Sequence, residues 1–154
     1  MKMRLSKKFE QGIYVVFMLA LQLEGRPIKS HILSEKLQVS DSYLKKILAK
    51  LVKFNIVKSN ASKNGGFQLA RNIGELSLYD IYQALEEEKE YRPPQDLAYK
   101  IFVCKEAIDK NVKKIDDVFV NAFNAFNEEL KKLKFSDLLE KDIIKNGKLD
   151  WENI

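Results

Sequence analysis

The sequence predicts a mainly α fold: a winged helix-turn-helix with a two-stranded wing, followed by a long C-terminal helix suited to dimerisation. Three features predict it. Residues Ser40 to Ala70 (SDSYLKKILAKLVKFNIVKSNASKNGGFQLA) read as a helix, a short strand, a basic glycine-tipped turn and a second short strand. Residues 1–64 carry thirteen Lys and Arg against four acids, a surplus of +9, while the remainder carries fourteen against eighteen, or −4. From Ile108 to Leu133 apolar residues, several of them aromatic, recur at helical spacing.

Each element has its local reason. Ser6 is a plausible N-cap for a helix reaching about Glu24, with Phe9, Ile13, Val16, Phe17, Ala20 and Leu21 forming one apolar stripe. Gly25-Arg26-Pro27 ends it. Ile28 to Gln38 follows as a short second helix with Ile32, Leu33 and Leu37 inward, and Val39-Ser40 makes a tight turn. Ser40 caps a third helix running to about Asn55, which turns Leu44, Ile47, Leu48 and Leu51 inward and spreads Ser42, Tyr43, Lys45, Lys46, Lys50 and Lys53 over the rest of its surface. Residues 56–59 and 67–70 are the wing strands, and Asn64-Gly65-Gly66 supplies residues that tolerate positive φ. Ser77 caps a fourth helix, Leu78 to about Glu87. The stretch from Glu86 to Pro94 breaks the helical pattern and reads as an exposed linker. Phe135 to Leu139 forms a short final helix, and the tail from Lys145 to Ile154 is expected to be loose. The domain boundaries follow: 1–87 winged unit, 88–107 linker or sensor segment, 108–140 dimerisation helix region, 141–154 tail.

Composition narrows the function. A hydrophobic content of 45% supports a real core. No secretory signal is expected, and the apolar run Ile13–Leu23 is too short to cross a bilayer, so no membrane partner is expected. The single cysteine, Cys104, excludes an intramolecular disulfide framework and fits a reducing cytoplasm. An enzyme is poorly supported: there is one His and one Cys, far apart, no carboxylate-rich metal motif, and Gly65-Gly66 is too short for a nucleotide cradle. The basic surplus marks the N-terminal part as a polyanion-binding surface, with a solvated lysine face as the plain alternative. A cationic helix followed by a cationic hairpin suits double-stranded DNA, the helix lying in the major groove. Lys7, Lys8, Lys46, Lys50, Lys58 and Lys63 would pair with phosphates, while Ser42, Tyr43 and Lys45 would touch base edges. The caps Ser6 and Ser40 are counted with that face. For Tyr43 the alternative is packing against the second helix. On the long helix Val112, Ile115, Phe119, Phe123, Phe126 and Leu130 are expected to bury their stripe across a homodimer, ordinary core packing being the other reading.

Taken with Leu5-Ser6-Lys7-Lys8, Ser42-Tyr43-Leu44, Gly65-Gly66-Phe67-Gln68-Leu69-Ala70, Leu78-Tyr79-Asp80-Ile81 and, more loosely, Phe135-Ser136-Asp137-Leu138, this pattern resembles the Rrf-two (Rrf2) type of winged-helix transcription regulators over most of the chain. The resemblance implies a homodimeric regulator, and the leading reading is a repressor that acts through an inverted-repeat operator. It implies recognition helices near 41–53 in major grooves and wing tips near 60–64 in minor grooves. Ser42 and Tyr43 match positions at the DNA end of that helix. Lys45 stands where an acid is frequent and Ala61 where the wing often has an arginine, which leaves minor-groove reading either to Lys63 or weak. Many relatives hold an iron–sulfur cluster on three cysteines before the long helix. Here Cys104 matches only the last of these, so no cluster, metal or other cofactor is expected. What remains is a candidate redox-responsive thiol flanked by Lys100 and Lys105, or a buried cysteine behaving as a small hydrophobe. Two further readings stay open: a winged helix that binds an acidic protein, and a regulator answering a small-molecule ligand with Cys104 purely structural.

Overall fold

The computed structural model describes residues 5–86, 96–139 and 149–154. They fall into two compact units, Met1–Glu87 with Lys131–Ile154, and Glu88–Leu130. Residues 87–95, which hold all but the first residue of the linker read at 86–94, and residues 140–148 lie outside the described residues.

The first unit runs α1 (Lys7–Leu21), α2 (Ser30–Lys36), α3 (Asp41–Lys53), β1 (Val57–Asn60), β2 (Gly66–Leu69) and α4 (Leu78–Leu85), so the helices end two or three residues short of the sequence expectation. Val15, Val16, Leu33, Leu44, Leu48, Leu51 and Ile81 are almost wholly buried in one core. At roughly 1.5–3 kcal/mol for each such side chain, this shared burial fixes how the helices cross. Ser6 accepts from the Phe9 amide (3.3 Å), as a cap should.

The wing strands pair antiparallel, Val57 opposite Leu69 and Asn60 opposite Gly66. Ile28 and Phe67 also exchange backbone hydrogen bonds of 2.9 and 2.8 Å, which anchors the hairpin to the chain before α2. Positive φ is found only at Gly66 (φ 153°) among the three residues expected to use it, and a Cβ there would also fall 2.5 Å from the Ile28 carbonyl oxygen, so glycine is required twice over. Gly65 is required for a different reason: its Cβ would meet the Asn60 carbonyl oxygen at 2.0 Å.

Arg71 joins three elements. Its Nε donates to the Asn55 carbonyl at the end of α3 (3.1 Å), and its Nη2 pairs with Asp80 in the first turn of α4 (2.6 Å). Asp80 also accepts from the Ser77 amide and hydroxyl (2.8 and 2.7 Å). Burial pushes the Asp80 carboxyl up, but the hydrogen bonds from Arg71 and Ser77 outweigh it and hold the group below the usual carboxylate range. A carboxyl depressed on folding adds stability above its unfolded pKa and loses it as pH falls through the folded value. Asp80→Asn is therefore expected to cost about 1–2 kcal/mol in urea unfolding at neutral pH. The difference from wild type should close in acid below about pH 4; a gap of constant size at all pH would contradict it.

One sequence expectation for the C-terminal part is met and one is corrected. The short final helix is present as a 3-10 turn, Phe135–Leu138, with Phe135 buried, its ring 5.2 Å from Phe17 and its amide donating to the Leu76 carbonyl (2.9 Å). The described end of the tail is not loose. Leu149 exchanges backbone hydrogen bonds with Leu21 and Leu23 (2.7 and 2.9 Å), Asp150 pairs with Arg26 (3.0 Å), and the Trp151 indole donates to the Met18 carbonyl (2.9 Å). A Trp body packed on the core with its N–H satisfied is enough to hold so short a segment.

The second unit holds α5 (Asp96–Ile101) and most of α6 (Lys105–Lys132). The described part of the segment read as a linker is thus partly helical, and the Tyr99 hydroxyl donates to Asp109 to tie α5 to α6. Ile108 is the one buried hydrophobic residue in α6. Ile115, Phe119 and Phe123 are exposed, and Val112, Phe126 and Leu130 are half-buried. The alternative of ordinary core packing does not describe this stripe in the single chain. Cys104 is exposed beside the equally exposed Ile101, Phe102 and Val103, so it is not a buried small hydrophobe.

Candidate nucleic-acid interface

The helix-turn-helix is built from residues that leave α3 no choice of face. Leu44, Ile47, Leu48 and Leu51 are buried, a set that recurs every three or four positions and turns one side of α3 inward. Gln38 takes a left-handed conformation (φ 54°) in the turn, and the Val39 amide donates to Ser34 (3.0 Å), which closes the corner tightly. Ser40 then caps α3 through the Tyr43 amide (3.3 Å), with its hydroxyl 3.4 Å from that of Ser42.

The opposite face of α3 presents Ser42, Lys45, Lys46 and Lys53 exposed and Lys50 half-buried. Lys45 is paired with Asp41 at 2.7 Å, and the hydrogen bond from Lys45 is the main cause that holds the half-buried Asp41 carboxyl low. Asp41 therefore occupies the ammonium of Lys45 in the free protein, leaving Lys46, Lys50 and Lys53 without an acid on this helix. Tyr43 packs its ring partly against the core and remains half-exposed, so the packing alternative describes part of what it does.

Lys58 on β1 and Lys63 in the wing turn are both exposed. The turn is held by the Ser62 amide on the Asn60 side chain (3.0 Å) and the Gly65 amide on the Ser62 carbonyl (2.8 Å). Lys7 is exposed and Lys8 half-buried in the first turn of α1. Cations are unfavourable there by a few tenths to about 1 kcal/mol, since the helix dipole is positive at its start. Glu86 offsets them, its carboxylate accepting from the Ser6 amide (2.9 Å) and hydroxyl (2.7 Å). Ser6 thus has its hydroxyl engaged within the fold.

From Ser42 to Gly74 the chain has seven Lys or Arg and no acid over 33 residues. That stretch supplies most of α3 and the whole wing. Arg71 and Glu86, which position these elements, were not among the expected site residues. Glu86 sits in an acidic run that resembles a solvated linker, whereas the Ser77-x-x-Asp80 spacing does announce the partner of Arg71.

A model of the Rrf2 family, described as an iron-dependent transcriptional regulator, matches residues 5–141. The chain belongs to the Rrf2 family. YffB of Lactococcus lactis, named an HTH-type transcriptional regulator, is 43% identical over 84 residues, 54% of each chain. The chain spans about half the length of the curated relatives it matches. Among solved structures, CymR of B. subtilis, named a global cysteine regulator, aligns with TM-score 0.61 at 20% identity over 89% of this chain and 96% of that one. The IscR structure from T. potens aligns with TM-score 0.60 at 22% identity over 99% and 97%. At such identities these likenesses speak for the fold, and they agree with a mainly helical winged helix-turn-helix. No helix among the described residues is long and apolar enough to cross a membrane.

Iron in the family description calls for a ligand set. This Rrf2 chain offers one cysteine, on the segment before α6, and one histidine, on α2. Among the described residues no three His, Cys, Asp or Glu side chains gather to hold a metal. A thiolate-held iron–sulfur cluster does not fit this donor set.

Proposed function

We propose that this Rrf2 chain is a homodimeric, sequence-specific regulator that binds double-stranded DNA at an inverted-repeat operator in the cytoplasm and represses by covering the promoter. The acid-free cationic stretch from Ser42 to Gly74, folded as the outer face of α3 and the wing, carries the reading. Lysines there neutralise phosphates, while Ser42 and the exposed part of Tyr43 meet base edges. The exposed apolar face of α6 supports self-association, which two-fold symmetry would turn into half-sites about one helical turn, roughly 34 Å, apart.

Exposed Cys104 supports a finer element, a thiol response in which peroxide oxidises the thiolate to sulfenic acid and is reduced to water. Footprinting on genomic fragments, with and without peroxide, tests these parts together. The expected result is a pair of protected half-sites, lost on oxidation in the wild type and retained in Cys104→Ser. A single unsymmetrical footprint would remove the dimer. Equal loss in both proteins would remove the thiol. Affinity for duplex that ignores salt would instead favour a winged helix directed at an acidic protein.

A further inference from the structure

The C-terminal segment that returns to α1 leaves a cleft of about 540 Å³ between α1, the end of α2 and Trp151. That volume is within the range of small-molecule sites. Glu10, Gln11, Tyr14 and Met18 line it from one side of α1, and Leu37 and Trp151 close it with apolar surface.

Among its polar groups are two acceptors and one cation. The Gln11 Oε1 atom is buried and accepts no hydrogen bond among the described residues. Glu10 is exposed beside it, and no ion pair neutralises it among the described residues. Lys36, the one cation on the wall, donates to the Ile154 carbonyl oxygen, and the Trp151 indole N–H is already given to Met18. The cleft therefore offers the Glu10 carboxylate flanked by two aromatic side chains, with the bare Gln11 oxygen just behind the wall, where a ligand N–H meets it once the Gln11 side chain turns outward. A buried acceptor without a partner is unfavourable, so turning it toward a ligand N–H is favoured, and ring faces attract cations.

We propose that this cleft binds a small organic cation, an ammonium group on a compact apolar body. The ammonium would sit against Glu10 and Gln11, with the apolar part between Tyr14 and Trp151. The site is independent of the DNA-binding reading.

Trp151 is the only tryptophan in the chain, so its fluorescence reports on the cleft directly. Titrating the full chain with phenethylamine is expected to change that emission saturably. 2-Phenylethanol and phenylacetate, matched in shape but neutral or anionic, should bind at least about tenfold more weakly, the worth of a charge-assisted hydrogen bond. Glu10→Gln, checked for folding by circular dichroism, should weaken phenethylamine by about the same factor and leave phenylethanol unchanged. No saturable change with phenethylamine, equal binding of the three probes, or an indifferent Glu10→Gln variant would each overturn the proposal.

Discussion

Replacing Ile115 and Phe123 together with glutamate is expected to abolish the proposed dimer and leave the protein monomeric at concentrations where the wild type self-associates. Fully burying such side chains is worth about 1.5–3 kcal/mol each. In the single chain they are still 52% and 45% exposed, so about half of that gain remains for association. Two side chains from each of two protomers then contribute roughly 3–6 kcal/mol, a hundredfold to ten-thousandfold in the dissociation constant. Four introduced carboxylates facing one another would add repulsion. Sedimentation velocity across a dilution series reads the result. The winged unit has its own core in Val15, Leu33, Leu48 and Ile81, so its helical signal and thermal transition should persist in the variant. A dimer of unchanged affinity would show that another surface carries association. The same variant should also lose operator affinity, because one winged unit reaches only one half-site.

What was legible in the chain was what local chemistry decides. The third helix announced itself through Ser40, a cap, and through Leu44, Ile47, Leu48 and Leu51 at helical spacing, and both the cap and the buried face are found. The hairpin was equally legible, since Gly65 and Gly66 mark a turn that admits no side chain. The lysine placements follow once the buried face is known, because a helix has only one other side. Distant pairings left no such trace. Trp151 lies 133 residues from Met18, to whose carbonyl it donates, and nothing around it in sequence points there. Glu86 sits 80 residues from Ser6, inside an acidic run whose composition suggests solvent. The six-residue helix Asp96–Ile101 is too short for its period to show. The pairing of Lys45 with Asp41 was legible at i, i+4 spacing and tempers the expectation that Lys45 reads bases.

Lys46→Ala with Lys50→Ala is expected to change how DNA binding depends on salt more than it changes the fold. Each lysine that meets a phosphate releases counterions, and log K falls against log salt with a slope of about −0.9 per contact. The double substitution removes up to four contacts from a dimer, so the slope should become shallower by roughly 3–4. Between 50 and 200 mM salt the wild type should therefore lose roughly a hundredfold more affinity than the variant. At low salt the variant should bind much more weakly, and the two curves should converge as salt rises. Neither lysine makes an ion pair among the described residues and neither belongs to the buried face of α3, so unfolding by urea should move by less than about 0.5 kcal/mol. Sequence preference should survive, because Ser42 and Tyr43 are untouched and phosphate contacts carry no base information. A variant with an unchanged slope would mean that these ammonium groups face solvent in the complex. The cationic face of α3 would then not be the surface that meets the duplex.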